Sequence, residues 1–172
     1  MAYRALGDEP ERSFAIVLVT GDEVVASLEA FARETGVDAA SFTAIGAVSD
    51  VMLGFFDLDV SDYRRIPLRE QAEVVSLVGD ITRAADDRAG ERRRTSPERT
   101  IHGHIVVGRS DGSTLGGHLL EAHVRPTLEV IVTETPARLR RRYDPRTGLA
   151  LIDLERSDTA PASEKGPTPR EA

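Results

Sequence analysis

Cysteine is absent from this chain of 172 residues. No disulfide can form, and no thiolate can hold a metal. Long apolar runs are missing as well. The run "FAIVLV" has six residues, against the roughly 20 that a membrane-spanning helix needs. No membrane partner is therefore expected. The opening "MAYRALGDEPERSF" lacks the basic-then-apolar plan of a secretory signal, so the expected location is cytoplasmic. No internal repeat is visible. Positive charge is in deficit: 22 Lys and Arg against 29 Asp and Glu leave a net charge of −7. Phosphate contacts need clustered cations, so this balance counts against a general nucleic-acid binder. The cations are nearly all arginine. They gather in "GERRRTSPER" (90–99) and "RLRRRYDPR" (138–146), and charge runs of this kind are usually solvated surface.

What remains is the composition of a globular protein, 40% hydrophobic and 30% charged, long enough for one domain with a full core. "SFAIVLVTGDE" opens with a β-branched apolar run, which predicts a buried strand over 13–20. "TGDEVVASLEAFARETGV" predicts the one main helix. Thr20 or Asp22 would cap it, acids would fill its first turn, and Gly36 would end it. Val24, Leu28, Phe31 and Ala32 fall at helical spacing and form its buried stripe. "DAASFTAIGAVSDVMLGFFDLD" predicts two strands around residues 46–49, and "DYRRIPLREQAEVVSLVGDITRA" two more. Residues 84–100 are polar and aperiodic, which predicts a long loop. Strands are expected again in the histidine segment, at 127–136 and at 148–154. One helix and about eight strands make a mostly antiparallel α+β domain over residues 1–154. The tail 155–172 is expected to be disordered and dispensable, since its composition has nothing to bury.

All four histidines fall within "IHGHIVVGRSDGSTLGGHLLEAHV", residues 101–124. Side chains alternate faces along a strand, so His102 and His104 share one face, about 6.5 Å apart. Ile101, Ile105 and Val107 point the other way. "SDG" at 110–112 suits a three-residue hairpin loop, a type I turn followed by a glycine bulge at Gly112. Opposed residues then sum to 222. His104 faces His118, His102 faces Leu120, and Gly116 faces Val106, leaving room for a ligand. Strict alternation sends His123 to the opposite face. Glu121 falls there too.

Three imidazoles converging on one face make a candidate metal site of His102, His104 and His118. Imidazole suits zinc, iron, copper or nickel. Three protein ligands with one open position describe a catalytic rather than a structural zinc site, so the expected metal is divalent, with zinc first. The plainer alternative is three hydrogen-bonding histidines on a half-exposed sheet. The H-x-H spacing also occurs in cupin barrels. Those carry a glutamate three or four residues after the second histidine, where this chain has Val107 and Gly108.

The order of motifs resembles the PPC (plants and prokaryotes conserved) domain in its stand-alone bacterial form, from about Ser13 to Leu154. "GAVSD" (46–50), "HGH" (102–104), "DGSTLGGHL" (111–119) and "TLEV" (127–130) carry the likeness. It implies an antiparallel α+β fold, an intimate homotrimer, and a histidine cluster of metal-site type matched here by His102, His104 and His118. The implied fold is similar to that of acetolactate decarboxylase, which binds zinc through three histidines that include an H-x-H. Plant members carry R-G-R-P hooks for the minor groove, and this chain has none. Their G-R-F-E-I-L partner segment corresponds here to "GDITRA" (79–84).

Three functions compete. The first is a small metal-dependent enzyme in which Arg109 or Arg125 would hold an anionic ligand and Glu121 or Glu129 would act as base. The second is a regulatory module that binds DNA or a transcription factor through the arginine loop. The third is a ligand-sensing or structural trimer that holds metal without turnover. Whether the protein is an enzyme stays open at this stage.

Overall fold

The computed structural model describes residues 2–5, 12–84, 99–135, 137–138, 140–153 and 158–159. Strand β1 (Ala2–Ala5) pairs antiparallel with β2 (Ser13–Val19). In β2, Phe14, Ile16 and Leu18 point into the core, while Val17 and Val19 face outward. Helix α1 (Val24–Thr35) follows. Its buried residues are Val24, Leu28, Phe31 and Ala32, the stripe that the helical spacing predicts.

The start of α1 differs from expectation. The cap is Glu23, whose carboxylate accepts from the amides of Val25 (3.1 Å) and Ala26 (2.6 Å), and the first turn holds no acid. Asp22 is used by the turn that leaves β2, accepting from the Val19 amide at 3.0 Å. Thr20 donates instead to the Pro126 carbonyl. A tight strand-to-helix turn consumes these residues, so the helix begins later. Gly36 closes it in the left-handed conformation, φ 74°.

The remaining strands are β3 (Ala40–Asp57), β4 (Asp62–Leu68), β5 (Ala72–Ala84), β6 (Arg99–Gly108), β7 (Thr114–Glu134), β8 (Ala137–Arg138), β9 (Arg140–Asp144), β10 (Leu149–Ile152) and β11 (Asp158–Thr159). The nine-stranded sheet runs β1-β2-β7-β3-β5-β9-β10, with β4 on β3. Strand β6 pairs with both β5 and β7. The path β7-β3-β5-β6 therefore returns to β7 and closes a ring. Its pairs are antiparallel, and β9 joins β5 in parallel. Phe42, Leu53, Leu77, Ile81, Ile105 and Leu128 fill the interior together with the apolar stripe of α1.

Two long strands replace four expected shorter ones. β3 spans 18 residues and β7 spans 21. Both continue because their shared ladder absorbs its bends as register shifts, after Gly46, after Val48 and between Met52 and Leu53. Gly46 makes the first bend, with φ 151°. A Cβ there would lie 2.3 Å from the Thr127 carbonyl oxygen.

Of the arginine loop, Ala84, Arg99 and Thr100 lie in strands, while 85–98 fall outside the described residues. Of the tail, Asp158–Thr159 pairs with Ala137–Arg138, and 155–157 and 160–172 fall outside them. No helix among the described residues is long and apolar enough to cross a membrane.

Gly46→Ala meets both a backbone clash and a disfavoured φ. It is expected to cost about 2–4 kcal/mol. Urea unfolding checks this: the midpoint should fall while the slope is unchanged.

Candidate metal centre

The hairpin that carries the histidines closes as counted. The Arg109 amide donates to the Ser113 carbonyl (2.8 Å), the Gly112 amide to the Arg109 carbonyl (2.9 Å), and Gly112 is left-handed at φ 82°. The Asp111 carboxylate braces the turn by accepting from the Ser113 amide at 2.9 Å. His104 then pairs with His118, and Val106 with Gly116. Ile105 and Val107 are buried, so His104 stands on the outer face and His102 beside it. The β6–β7 pairs end at His104↔His118. The expected pair of His102 with Leu120 on β7 is not formed, and on its other edge His102 pairs with Asp80 of β5.

The three rings form a near-equilateral triangle. Centroids lie 5.3 Å apart for His102–His104, 5.2 Å for His102–His118 and 5.4 Å for His104–His118. One nitrogen from each lies within 4.8 Å of the others. His118 Nδ1 is buried with no hydrogen-bond partner. A buried orphan of this kind is what a bound ion would satisfy, so the donor set fits an imidazole-ligated metal.

Electrostatics keep two rings in the form that binds metal. Burial pushes His118 down to about 4, and the neighbouring His102, His104 and Arg141 add to it. His104 is lowered by partial burial and then by His102, although its outer edge is open to water. Both are neutral at pH 7. Competition from protons at these two ligands therefore begins below the free histidine value near 6.5 that the sequence suggests.

Residues that sequence reasoning missed surround the triangle. Asp80 lies 3.3 Å from His102 Nδ1. Arg141, nearly buried on β9, reaches Asp80 at 2.7 and 2.9 Å, Thr82 Oγ1 at 2.9 Å and the Ala150 carbonyl at 2.9 Å. Burial alone would raise the Asp80 carboxyl, but hydrogen bonds from His102 and Arg141 outweigh it and hold the group below the usual range. Tyr63 of β4 stacks on His118 with centroids 4.8 Å apart, and Phe56 meets Tyr63 edge-on at 5.0 Å. The space for Tyr63 comes from Gly54, which pairs with His118. A Cβ there would sit 2.7 Å from the tyrosine ring. "GDITRA" and "RLRRRYDPR" were visible as segments. Their pairing across unknown loop lengths was not.

His123 lies outside the cluster, but the expected reason is wrong. The register shift between Met52 and Leu53 opposes them to Glu121 and Leu119, so Leu120 is a bulge. Leu119, Ala122 and Val124 face inward, and Glu121 and His123 turn out to the same side as His118. Distance rather than parity separates them from the triangle. His123 Nδ1 sits 2.9 Å from Asp50 Oδ1, with Glu121 3.9 Å from its other nitrogen. Chiefly the Asp50 bond raises its pKa. Glu129 pairs with Val17 and Ile45, away from the hairpin end of β7. Arg109 is engaged by Glu70 and Asp111. Arg125 is exposed.

A closed antiparallel ring with one helix and three outward imidazoles defines a class of small domain, and the family follows from comparison. The Plants and Prokaryotes Conserved (PCC) domain model matches residues 6–136, and the chain belongs to that family. A Bacteroides thetaiotaomicron structure described as a "putative dna binding protein" is 32% identical, covering 90% of this chain and 99% of its own, with TM-score 0.74. A metal-containing protein from Archaeoglobus fulgidus is 29% identical, covering 88% and 98%, with TM-score 0.69. The bifunctional protein GlmU of Synechococcus sp. (strain JA-3-3Ab) is 27% identical over 148 residues. That match takes in 84% of this chain but spans only 21% of the relative's length.

The shifted histidines set opposite pH dependences. In metal-free protein, His118 stays neutral where the unfolded chain is protonated, so it costs stability as pH falls from 6.5 towards 4. The raised His123 contributes stability below 6.5 that is lost as pH climbs through its folded value. NMR titration of the imidazole protons should show His118 titrating near 4 and His123 above 6.5.

Proposed function

We propose that this protein is a homotrimeric metal-binding PPC-domain protein in which His102, His104 and His118 hold one divalent ion, zinc by preference. The observation that carries the reading is the triangle of imidazoles, with its buried, unpartnered nitrogen on His118. The metal-containing relative supports it. A cysteine-free, three-nitrogen set with an open fourth position favours zinc in a catalytic geometry. A bound ion would supply Lewis acidity or a more acidic water. The chain's own residues contribute position: the hairpin fixes His104 against His118, and Tyr63 covers one ring face. A small anionic ligand would meet the open position from the solvent side, where His104 is exposed.

The trimer rests on the family resemblance and on apolar side chains left outside the ring. Val17, Ile45, Val78, Val106 and Ile131 are all exposed, and Val78 pairs with His104 itself. Surface of this kind marks an interface between copies.

The second reading, DNA binding, is favoured by the description of the Bacteroides relative. The net charge of −7 opposes it. Binding through Arg92, Arg93 and Arg94 is expected to be weak, indifferent to sequence and steeply lost with salt. Nanomolar discrimination of one duplex at physiological salt would put this reading first.

Metal content of the four single histidine-to-alanine variants, purified identically, tests the main reading. His104→Ala should lose most of the metal, and His102→Ala and His118→Ala nearly as much. His123→Ala should retain it. Equal retention in all four would end the metal assignment. Light scattering on the same samples should give three times the 18.7 kDa chain mass, and a monomer at micromolar concentration would end the trimer.

A further inference from the structure

The three imidazoles are held by different means. His102 meets the Asp80 carboxylate and the Arg141 guanidinium. His104 stands open to solvent. No hydrogen bond from a described residue reaches the His118 ring, and its Nδ1 is buried without a partner. Besides the other two imidazoles, the ring that lies against it is Tyr63, at 26° with centroids 4.8 Å apart. We infer that Tyr63 is a positioning residue for the metal centre, setting the plane of the His118 ring by stacking and favouring its metal-bound state; this rests on the three-histidine reading above.

Tyr63 is itself held in place. It is the cross-strand partner of Phe56, whose ring meets it edge-on at 5.0 Å and 71°. It also leans over Gly54, the cross-strand partner of His118. A Cβ on Gly54 would lie 2.7 Å from the tyrosine ring and 3.2 Å from Leu120, so both side chains close on the space that the glycine leaves. Gly54 is not left-handed, and its part in the fold is this close approach. The Tyr63 hydroxyl makes no hydrogen bond to a described residue, so the acting part is the ring.

Two effects follow, and both act on metal affinity. An imidazole without a hydrogen bond is free to turn about its side-chain bonds, and orientations given up on binding cost affinity. A flat ring packed against it confines that motion before an ion arrives. The second effect is electronic. A divalent ion draws electron density from the imidazole it binds, and an electron-poor ring is attracted more strongly to the electron-rich face of a phenol. The stack is therefore stronger in the loaded state than in the empty one. A contact equal in both states would shift nothing.

The experiment compares wild type with Tyr63→Phe and Tyr63→Leu in the full chain, each checked for a native circular dichroism spectrum. Zinc affinity is measured by competition with a chromophoric chelator, and the order of the His118 ring by ¹³C relaxation on metal-free protein. Tyr63→Leu keeps apolar bulk but has no flat face. It should weaken zinc binding roughly 3–10-fold, with a fall in ring order at His118 and none at His102. Tyr63→Phe keeps the face, and should hold zinc affinity within twofold of wild type with ring order unchanged. Zinc affinity within twofold of wild type in folded Tyr63→Leu would overturn the inference. So would a loss in Tyr63→Phe as large as in Tyr63→Leu, which would place the effect in the hydroxyl rather than the stack. Where Tyr63→Leu fails to fold, Gly54→Ala displaces the tyrosine instead, and its zinc affinity is read by the same criterion. Absence of zinc binding by wild type would sink the three-histidine reading, and ring order in the metal-free variants would still decide the positioning.

Discussion

The double pairing of β6 is the constraint on which everything else depends. A strand with one partner fixes one row of neighbours. A strand with two fixes both, and β6 is held by β5 on one edge and β7 on the other. His104 is thereby opposed to His118 on one side while His102 is set beside Asp80 on the other. The same two ladders close the sheet into a ring, so the groups that build the site cannot shift without opening the core. A one-residue slip of β6 would turn Ile105 and Val107 outward and the histidines inward. The apolar interior therefore enforces the geometry of the polar outer face.

Neutrality is the second requirement, and partial burial supplies it. Three imidazoles at this spacing repel one another when protonated, and His118 is the most enclosed. The charge of Arg141 adds to that pressure, and the Asp80 carboxylate, 2.7 Å from the guanidinium and 3.3 Å from His102, offsets it. The centre is thus acidic beneath and apolar beside: Asp80 under His102, Val78 beside His104, Tyr63 over His118. Such a pocket disfavours protons and leaves nitrogen lone pairs as its main unspent capacity.

Much of this was legible in the sequence because it is local. The stripe on α1, the left-handed Gly36 and the hairpin register as far as His104 all follow from spacings within a few residues, and each appears in the fold. The misread features depend on distant partners. Thr20 and Asp22 are good caps by type, yet the turn out of β2 takes both. Strands β3 and β7 each read as two strands, divided around residues 46–49 and ahead of residue 127, yet each continues because the other bends with it. The bulge at Leu120 leaves no mark in alternation alone, so His123 was placed on the wrong face. Asp80 and Arg141 were invisible as site residues, since the segment between β5 and β6 has no countable register.

The limits of family likeness follow from the same geometry. The matched span, residues 6–136, contains the three histidines, Asp80 and Tyr63, and stops short of Arg141. The family model therefore covers the three imidazoles but not the arginine that holds the carboxylate behind His102. Arg141 reaches that carboxylate from β9, a strand of the C-terminal hairpin that lies beyond the span of the family model.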